Sequence, residues 1–160
     1  MAEKFDFPRK AFLLNEGDIC KQIFFIEQGC VRSWFNDDGR DITFQFFFEG
    51  NFVSSFESLK NNEPCLYNIE TITSATLYVI HRDDFFRVVN QSPELMEIVN
   101  NYILKRFYHY QKLFISRITH SPQLRYEELV NKNPEILERV PQHYIATYLG
   151  ITPVSFEGQS

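Results

Sequence analysis

The 160-residue sequence predicts an α+β protein in which an antiparallel β-sandwich or barrel is followed by helices. Two observations support this class. Residues 10–80 contain short segments of strand character that are separated by turn residues at close spacing, as in all-β domains. Beyond residue 82 the apolar residues recur at helical spacing, and from Pro93 to about Thr119 no residue breaks the helix. A helix of about 27 residues would be roughly 40 Å long.

Turn residues divide the predicted strands. Gln22–Glu27 and Cys30–Phe35 flank Gln28-Gly29, which predicts a tight hairpin between these two strands. The run from Asn36 to Gly39 predicts a second turn, and the strand Asp41–Phe48 follows it. Because side chains alternate along a strand, one face of this last strand is expected to carry Ile42, Phe44, Phe46 and Phe48.

The long helix has a clear start. Ser92 is a capping residue, Pro93 suits the first helical position and Glu94 favours the positive end of the helix. Its apolar residues form two stripes. One stripe consists of Met96, Val99, Ile103, Tyr110, Leu113 and Phe114, and the other of Leu95, Ile98, Tyr102 and Phe107. One stripe would dock the helix on one core, so two stripes predict two partners, the strand domain and a second copy of the helix. The alternative is a helix buried in one large core.

Composition and charge limit the classes of function. A net charge of −5 is unusual for a bare DNA-binding domain, and the last forty residues hold three basic against five acidic side chains. The three cysteines show no C-x-x-C spacing, and the N-terminus is charged. No apolar run approaches the roughly 18 residues that cross a membrane. We therefore expect a cytoplasmic protein with free thiols and no membrane contact.

The order of the segments and several short motifs resemble the Crp/Fnr family of bacterial transcription regulators over nearly the whole chain. The motifs are Gly17-Asp18, Phe24 to Arg32, Phe48 to Phe52, Ile69 to Ile72, and Arg125-Tyr126 with Val140 to Pro153. The resemblance implies an antiparallel double-stranded β-helix (a jelly roll) of the cyclic-nucleotide-binding type, a long dimerisation helix and a C-terminal helix-turn-helix. It divides the chain into a sensor domain that includes the dimerisation helix, residues 1–119, and a DNA-binding region, residues 120–160. The C-terminal motif looks like a subgroup of the family whose effector is often unknown.

The resemblance also implies a ligand pocket in the strand domain. The residues expected to line it are Phe52, Ser54, Ser55, Pro64, Cys65 and Tyr67. Cyclic-AMP-binding members of the family hold the ribose with a Glu and the cyclic phosphate with an Arg-Ser pair. In this sequence Ser55 replaces that Glu, and Cys65-Leu66 replaces the Arg-Ser pair. Because a buried phosphate needs a charge-assisted partner, we expect no tight binding of cyclic AMP or cyclic GMP, and the effector is unknown. The alternative is a cavity that aromatic side chains fill and that binds nothing.

Other chemistries lack the residues that they need. Three scattered cysteines do not supply the four ligands that an iron–sulfur cluster usually has. The four histidines are far apart and include no His-x-His pair, as a cupin metal site would require, and the six glycines are isolated. No Ser or Cys lies in a nucleophile motif. We therefore expect no metal, no cofactor and no enzymatic activity.

The helix-turn-helix is expected to be incomplete. Gln142–Leu149 would be its first helix, Gly150 to Thr152 its turn, and Pro153 the start of a recognition helix in which the sequence ends soon after Phe156. The residues expected at DNA are Gln142, Thr152, Pro153, Val154 and Ser155. We predict a dimeric, effector-responsive transcription regulator that binds DNA in its full-length form, with weak or no DNA binding by these 160 residues. The alternative is a sensor-only module that dimerises without binding DNA.

Overall fold

A computed structural model describes residues 2–150, in which eight strands form two four-stranded antiparallel sheets. The strands are β1 (Ala2–Phe7), β2 (Phe12–Leu14), β3 (Gln22–Gln28), β4 (Val31–Asp37), β5 (Arg40–Phe47), β6 (Phe52–Val53), β7 (Asn68–Thr71) and β8 (Ala75–His81). Sheet A has the order β1-β8-β3-β6, and sheet B has the order β2-β7-β4-β5. The predicted antiparallel jelly roll followed by helices is confirmed.

Six helices accompany the β-roll in the described residues. They are α1 (Phe56–Asn61), α2 (Arg82–Asn90), α3 (Pro93–Thr119), α4 (Pro122–Lys132), α5 (Pro134–Arg139) and α6 (Gln142–Leu149). The long helix α3 begins as the sequence predicts, because the Ser92 side chain accepts a hydrogen bond from the backbone N–H of Leu95. Within residues 2–150, no helix combines the length and the apolar character that a bilayer-crossing segment needs.

The core of the β-roll lies between the two sheets. Its fully buried aliphatic residues include Ile26 and Leu77 from sheet A, and Val31 and Ile69 from sheet B. Leu59 of the short helix α1 joins the same core. The Asp38-Gly39 turn joins β4 to β5 with positive φ at both residues, which is the geometry of a type I′ hairpin and confirms the second predicted turn.

The predicted hairpin at Gln28-Gly29 is wrong. β3 pairs with β6 and β8, whereas β4 pairs with β5 and β7, so the chain crosses from sheet A to sheet B at this point. Gly29 has a φ of 115°, and a Cβ atom at this position would lie 2.7 Å from the Cβ atom of Ala75. The glycine therefore permits a close crossing of two chain segments instead of a turn within one sheet.

The predicted alternation along β5 is also wrong, because a bulge interrupts it. Ser33 pairs with Gln45 and the next residue, Trp34, pairs with Thr43, which leaves Phe44 as the extra residue. The ring of Phe44 contacts Tyr67 of the β-roll, whereas the ring of Phe46 contacts Tyr148 of α6. The rings of the two phenylalanines therefore lie on different faces of sheet B.

A second hydrophobic core joins sheet B to the C-terminal helices. Cys30, Phe46 and Ile72 of the β-roll pack in it with buried apolar residues of the helices. These are Leu129, Ile136, Val140, Tyr144, Ile145, Ala146 and Leu149. The helical region consequently packs on the outer face of sheet B.

Candidate functional site

Four of the six predicted pocket residues lie together in the β-roll. Ser54, Ser55 and Cys65 are buried, and Cys65 Sγ donates a hydrogen bond of 2.9 Å to the carbonyl oxygen of Tyr67. The Tyr67 hydroxyl lies 3.5 Å from the carbonyl oxygen of Ser54 and also interacts with the Ser55 side chain. These four residues, the Ser54–Tyr67 group, lie at the N-terminal end of α1.

The other two predicted residues point elsewhere. The ring of Phe52 packs on Phe25 with a centroid distance of 4.9 Å, and its backbone binds the hydroxyl of Tyr102 on α3. Pro64 is exposed and forms an isolated bridge with Ile19.

Aromatic rings connect this group to the long helix. The Tyr67 ring meets Phe44 edge-on at 5.0 Å between centroids, and Phe44 meets Tyr110 of α3 at 6.2 Å. Burial raises the pKa of the Tyr67 phenol well above its ordinary value and that of Tyr110 to about 12, so both are neutral at physiological pH. Sequence reasoning missed Phe44 because only the bulge brings its ring to this position.

Arg106 of α3 borders the aromatic group. Its guanidinium lies 4.5 Å from the centroid of the Phe47 ring and donates a hydrogen bond of 3.0 Å to the Tyr102 hydroxyl. Gln45, paired with Ser33 on β4, is buried, and its side-chain oxygen has no hydrogen-bond partner among the described residues. The side chains of Ser54, Ser55, Tyr67 and Gln45 are thus uncharged, and the cation near them, Arg106, contacts the Phe47 ring and the Tyr102 hydroxyl.

A buried ion cluster lies on the opposite, outer face of sheet B. Arg32, only 2% exposed, donates to both carboxylate oxygens of Asp41, to Glu70 and to Thr43 Oγ1. Burial disfavours the charge of Arg32, but the hydrogen bonds and charges of the two carboxylates outweigh it and raise the pKa of its guanidinium. The ring of Tyr144 on α6 covers the guanidinium at 3.8 Å, which makes α6 part of the cluster.

A second ion pair ties α5 to the β-roll. Arg139 donates two hydrogen bonds of 2.7 Å to Glu49, whose carboxylate also accepts one of 2.9 Å from the backbone N–H of Gly29. The side-chain hydrogen bonds from Arg139 are the main cause that lowers the pKa of Glu49 to about 2.

This ion pair predicts a pH dependence of stability. The carboxyl of Glu49 has a lower pKa in the folded protein than its ordinary value of 4.5, so its stabilisation is complete above pH 4.5 and is lost as the pH falls towards 2. We expect Glu49→Gln to reduce the fall in the free energy of unfolding between pH 5 and pH 3, measured by urea denaturation. The exposed Glu63→Gln serves as the control and should leave the slope unchanged. An equal slope for Glu49→Gln and the wild type would contradict the role of the pair.

Two arginines hold the C-terminal end of α6. Arg117 of α3 donates to the carbonyl oxygens of Thr147 and Tyr148, and Arg125 of α4 donates to those of Leu149 and His120. Carbonyl oxygens at a helix end lack partners within the helix and carry partial negative charge, so cations stabilise them. Gly150 follows in the left-handed conformation and ends α6.

The structure describes one of the five residues that were predicted to contact DNA. Gln142 is exposed at the start of α6. Thr152, Pro153, Val154 and Ser155 lie outside the described residues. Among residues 2–150 no group of three His, Cys, Asp or Glu side chains is placed to hold a metal ion.

The residues predicted for the partner-facing stripe of α3 divide into two sets. Met96, Ile103 and Phe114 are exposed, whereas Val99, Tyr110 and Leu113 are partly buried against their own subunit. Tyr110 contacts Phe44 of the same β-roll. The other exposed large apolar residues of α3 are Leu95, Ile98, Leu104, Phe107, Tyr108, Ile115 and Ile118.

The fold is an eight-stranded β-roll with a short helix between β6 and β7 and a long helix after it. Residues 4–92 match the model of the cyclic nucleotide-binding domain family, and the chain belongs to this family. No curated protein matches the chain in sequence.

Several solved structures have the same fold. FixK2 from Bradyrhizobium japonicum has a TM-score of 0.83 at 15% identity, over 99% of this chain and 82% of that one. The c-di-GMP-responsive global regulator CLP of Xanthomonas campestris has a TM-score of 0.80 at 16% identity, over 99% and 84% of the two chains. A regulator of the Crp/Fnr family from Eubacterium rectale has a TM-score of 0.78 at 16% identity, over 99% and 76%. The similarity thus extends beyond the β-roll to α3 and the C-terminal helices.

Proposed function

We propose that the chain is the sensor and dimerisation part of a transcription regulator of the Crp/Fnr type, which binds DNA as a dimer in its full-length form. The proposal rests on the order of the elements along the chain. A β-roll is followed by a long helix with an exposed apolar surface and later by helix α6, which ends at Gly150. Fold similarity to regulators over 99% of the chain supports it. The sensor with its dimerisation helix would comprise residues 1–119, and the DNA-binding region residues 120–160.

The long helix supports a homodimer. None of the residues of α3 is buried, although Met96, Ile103, Phe107, Phe114 and Ile118 are large and apolar. These five residues recur at intervals of 7, 4, 7 and 4, so they share one side of the helix, and Phe107 lies on this side rather than on the second predicted stripe with Leu95. Burial of each such side chain contributes about 1.5–3 kcal/mol, so pairing of two α3 helices through this side would stabilise a dimer.

The dimer is tested by charging this side of α3. We expect the wild type to sediment as a dimer at tens of micromolar. The double variant Ile103→Lys, Phe114→Lys should have a dimer dissociation constant that is higher by about 100-fold or more. Leu66→Lys changes a large apolar side chain that is at least as exposed but lies on the β-roll, and it should leave the dimer intact. A wild-type protein that sediments as a monomer would overturn the proposed dimer.

The β-roll is not expected to respond to cyclic AMP or cyclic GMP. The rings of Tyr67, Phe44 and Tyr110 contact one another in series beside this site, and Cys65 supplies no positive charge for a phosphate. Titration calorimetry should detect no binding of either nucleotide at micromolar concentrations. Micromolar affinity would contradict this expectation, and loss of that affinity in Arg106→Ala would identify the cation responsible.

DNA binding separates the two candidate functions. We expect residues 1–160 to bind duplex DNA weakly in a gel shift, and nanomolar specific binding would contradict this. A sensor-only dimer remains the second candidate, because the described α4–α6 region is acidic rather than basic. The gene beyond codon 156 decides between them: a reading frame that encodes an Arg-rich helix favours the regulator, and its absence favours the sensor-only module.

A further inference from the structure

An apolar cavity of about 320 Å³ lies outside the β-roll, on the side of sheet A. Ile23 and Phe56 of the roll form its floor, Phe85 and Val88 of α2 form one wall, and Ile98 and Val99 of α3 form the other. This volume is at the lower end of the range of about 300–1,000 Å³ that ligand pockets occupy. The cavity is separate from the Ser54–Tyr67 group in the roll interior.

The polar groups of the cavity wall are already engaged. Tyr102 donates a hydrogen bond of 2.6 Å to the carbonyl oxygen of Phe52 and accepts bonds from the Phe52 N–H and from Arg106. Asp84 is held by Arg87 at 2.7 Å. The remaining side chains of the wall are aliphatic or phenylalanine. A charged or strongly polar ligand would therefore lose its hydration without gaining a partner, and an anion would also face Asp84.

A second copy of the chain is poorly placed to fill this cavity. Along an α-helix each residue advances by about 100°, so Leu95, Ile98 and Tyr102 lie on one side of α3. Ile103 and Phe114, on the proposed pairing side, are about a third of a turn away. A neighbouring cavity of about 330 Å³, which Met96, Asn100 and Ile103 line, lies towards that pairing side instead.

We propose that the cavity between sheet A, α2 and the first turns of α3 binds a small, uncharged, apolar molecule. The lining of the cavity is almost entirely apolar, and covering such a surface with an apolar ligand removes it from water, which is favourable. The bound molecule would touch both α2 and α3 and so would sit at the base of the long helix. Ligand binding here goes beyond the proposed regulatory function and does not depend on DNA binding.

Three probes with the same decyl chain test the proposal: 1-decanol, decanoate and decyltrimethylammonium. By titration calorimetry we expect 1-decanol to bind saturably, with one site per chain, and the two charged probes to bind at least tenfold more weakly. Val88→Trp should abolish decanol binding by filling the cavity. Ile98→Trp, at a wall residue that is 63% exposed, provides a second variant that does not depend on repacking of α2. Leu66→Trp introduces the same side chain on an exposed site of the roll and should bind decanol normally.

Three results would overturn the proposal. The first is no saturable binding of decanol by the wild type. The second is undiminished binding in both cavity variants. The third is a loss of dimer in Val88→Trp and Ile98→Trp, measured by sedimentation, which would assign the cavity to the partner subunit. Dissociation by the Ile103→Lys, Phe114→Lys pair tests the regulator proposal separately, so the two can fail independently.

Discussion

Arg32→Ala is expected to lower the free energy of unfolding by about 3–5 kcal/mol, as is typical when one partner of a buried ion cluster is removed. Arg32 is the shared donor of the Asp41 and Glu70 carboxylates, and Glu70 is itself buried. Its loss leaves a buried carboxylate without its counter-charge and removes the support beneath the Tyr144 ring. Urea denaturation followed by far-UV circular dichroism measures the change.

Arg40→Ala is the matched control for this prediction. Arg40 lies on the same β4–β5 hairpin and also pairs with an aspartate, Asp37, at 2.6 Å, but its side chain is 74% exposed. Exposed ion pairs contribute about 0–1 kcal/mol. If the two variants lose similar stability, burial is not what makes the Arg32 cluster important, and the cluster is not a main link between α6 and sheet B.

Gly29→Ala is expected to destabilise the protein by about 2–5 kcal/mol. Overpacking costs about 1–3 kcal/mol, and a positive φ costs a further 1–2 kcal/mol or so for a residue with a Cβ atom. At Gly29 both apply, since the new methyl group would lie 2.7 Å from Ala75 Cβ and 2.9 Å from the carbonyl oxygen of Ser74. The change is measured as a shift of the urea midpoint at constant slope.

Gly39→Ala separates the two contributions. Gly39 also has a positive φ, of 87°, but a Cβ atom there would have no neighbour within 4 Å. Only the backbone cost of about 1–2 kcal/mol should remain. Equal losses at Gly29 and Gly39 would show that the crossing between the sheets is looser than the contact distances indicate.

Local chemistry made part of the fold predictable. Ser92 and Pro93 start α3 where the sequence predicts, and Asp38-Gly39 turns the chain back between two paired strands. The hairpin at Gly29 could not be rejected in this way, because strand pairing is a contact between distant residues. β3 finds its partner β8 about fifty residues later, and nothing near Gly29 records that choice.

The site was less predictable than the fold for the same reason. Ser54, Ser55, Cys65 and Tyr67 were expected together and lie together, but Phe44 joins them only through a bulge. The contact of Arg32 with Tyr144 spans 112 positions of the chain. A long-range contact of this kind leaves no pattern in the local spacing of residues. The packing of the Phe52 ring on Phe25 likewise could not be read from its position in the sequence.

The hydrogen bonds of Arg117 and Arg125 to the C-terminal end of α6 connect the position of α6 to that of α3. Arg117 lies about 36 Å along α3 from its first residue, so a tilt of the helix by about 5° about that end would displace its guanidinium by about 3 Å. That displacement equals the length of the hydrogen bond of 3.0 Å from Arg117 to Thr147. A tilt of this size would break the hydrogen bonds from Arg117 unless its side chain or α6 moved with α3, so the two helices are joined by a direct contact as well as by the turn at His120-Ser121. The C-terminal end of the long helix is therefore bound directly to α6 through Arg117.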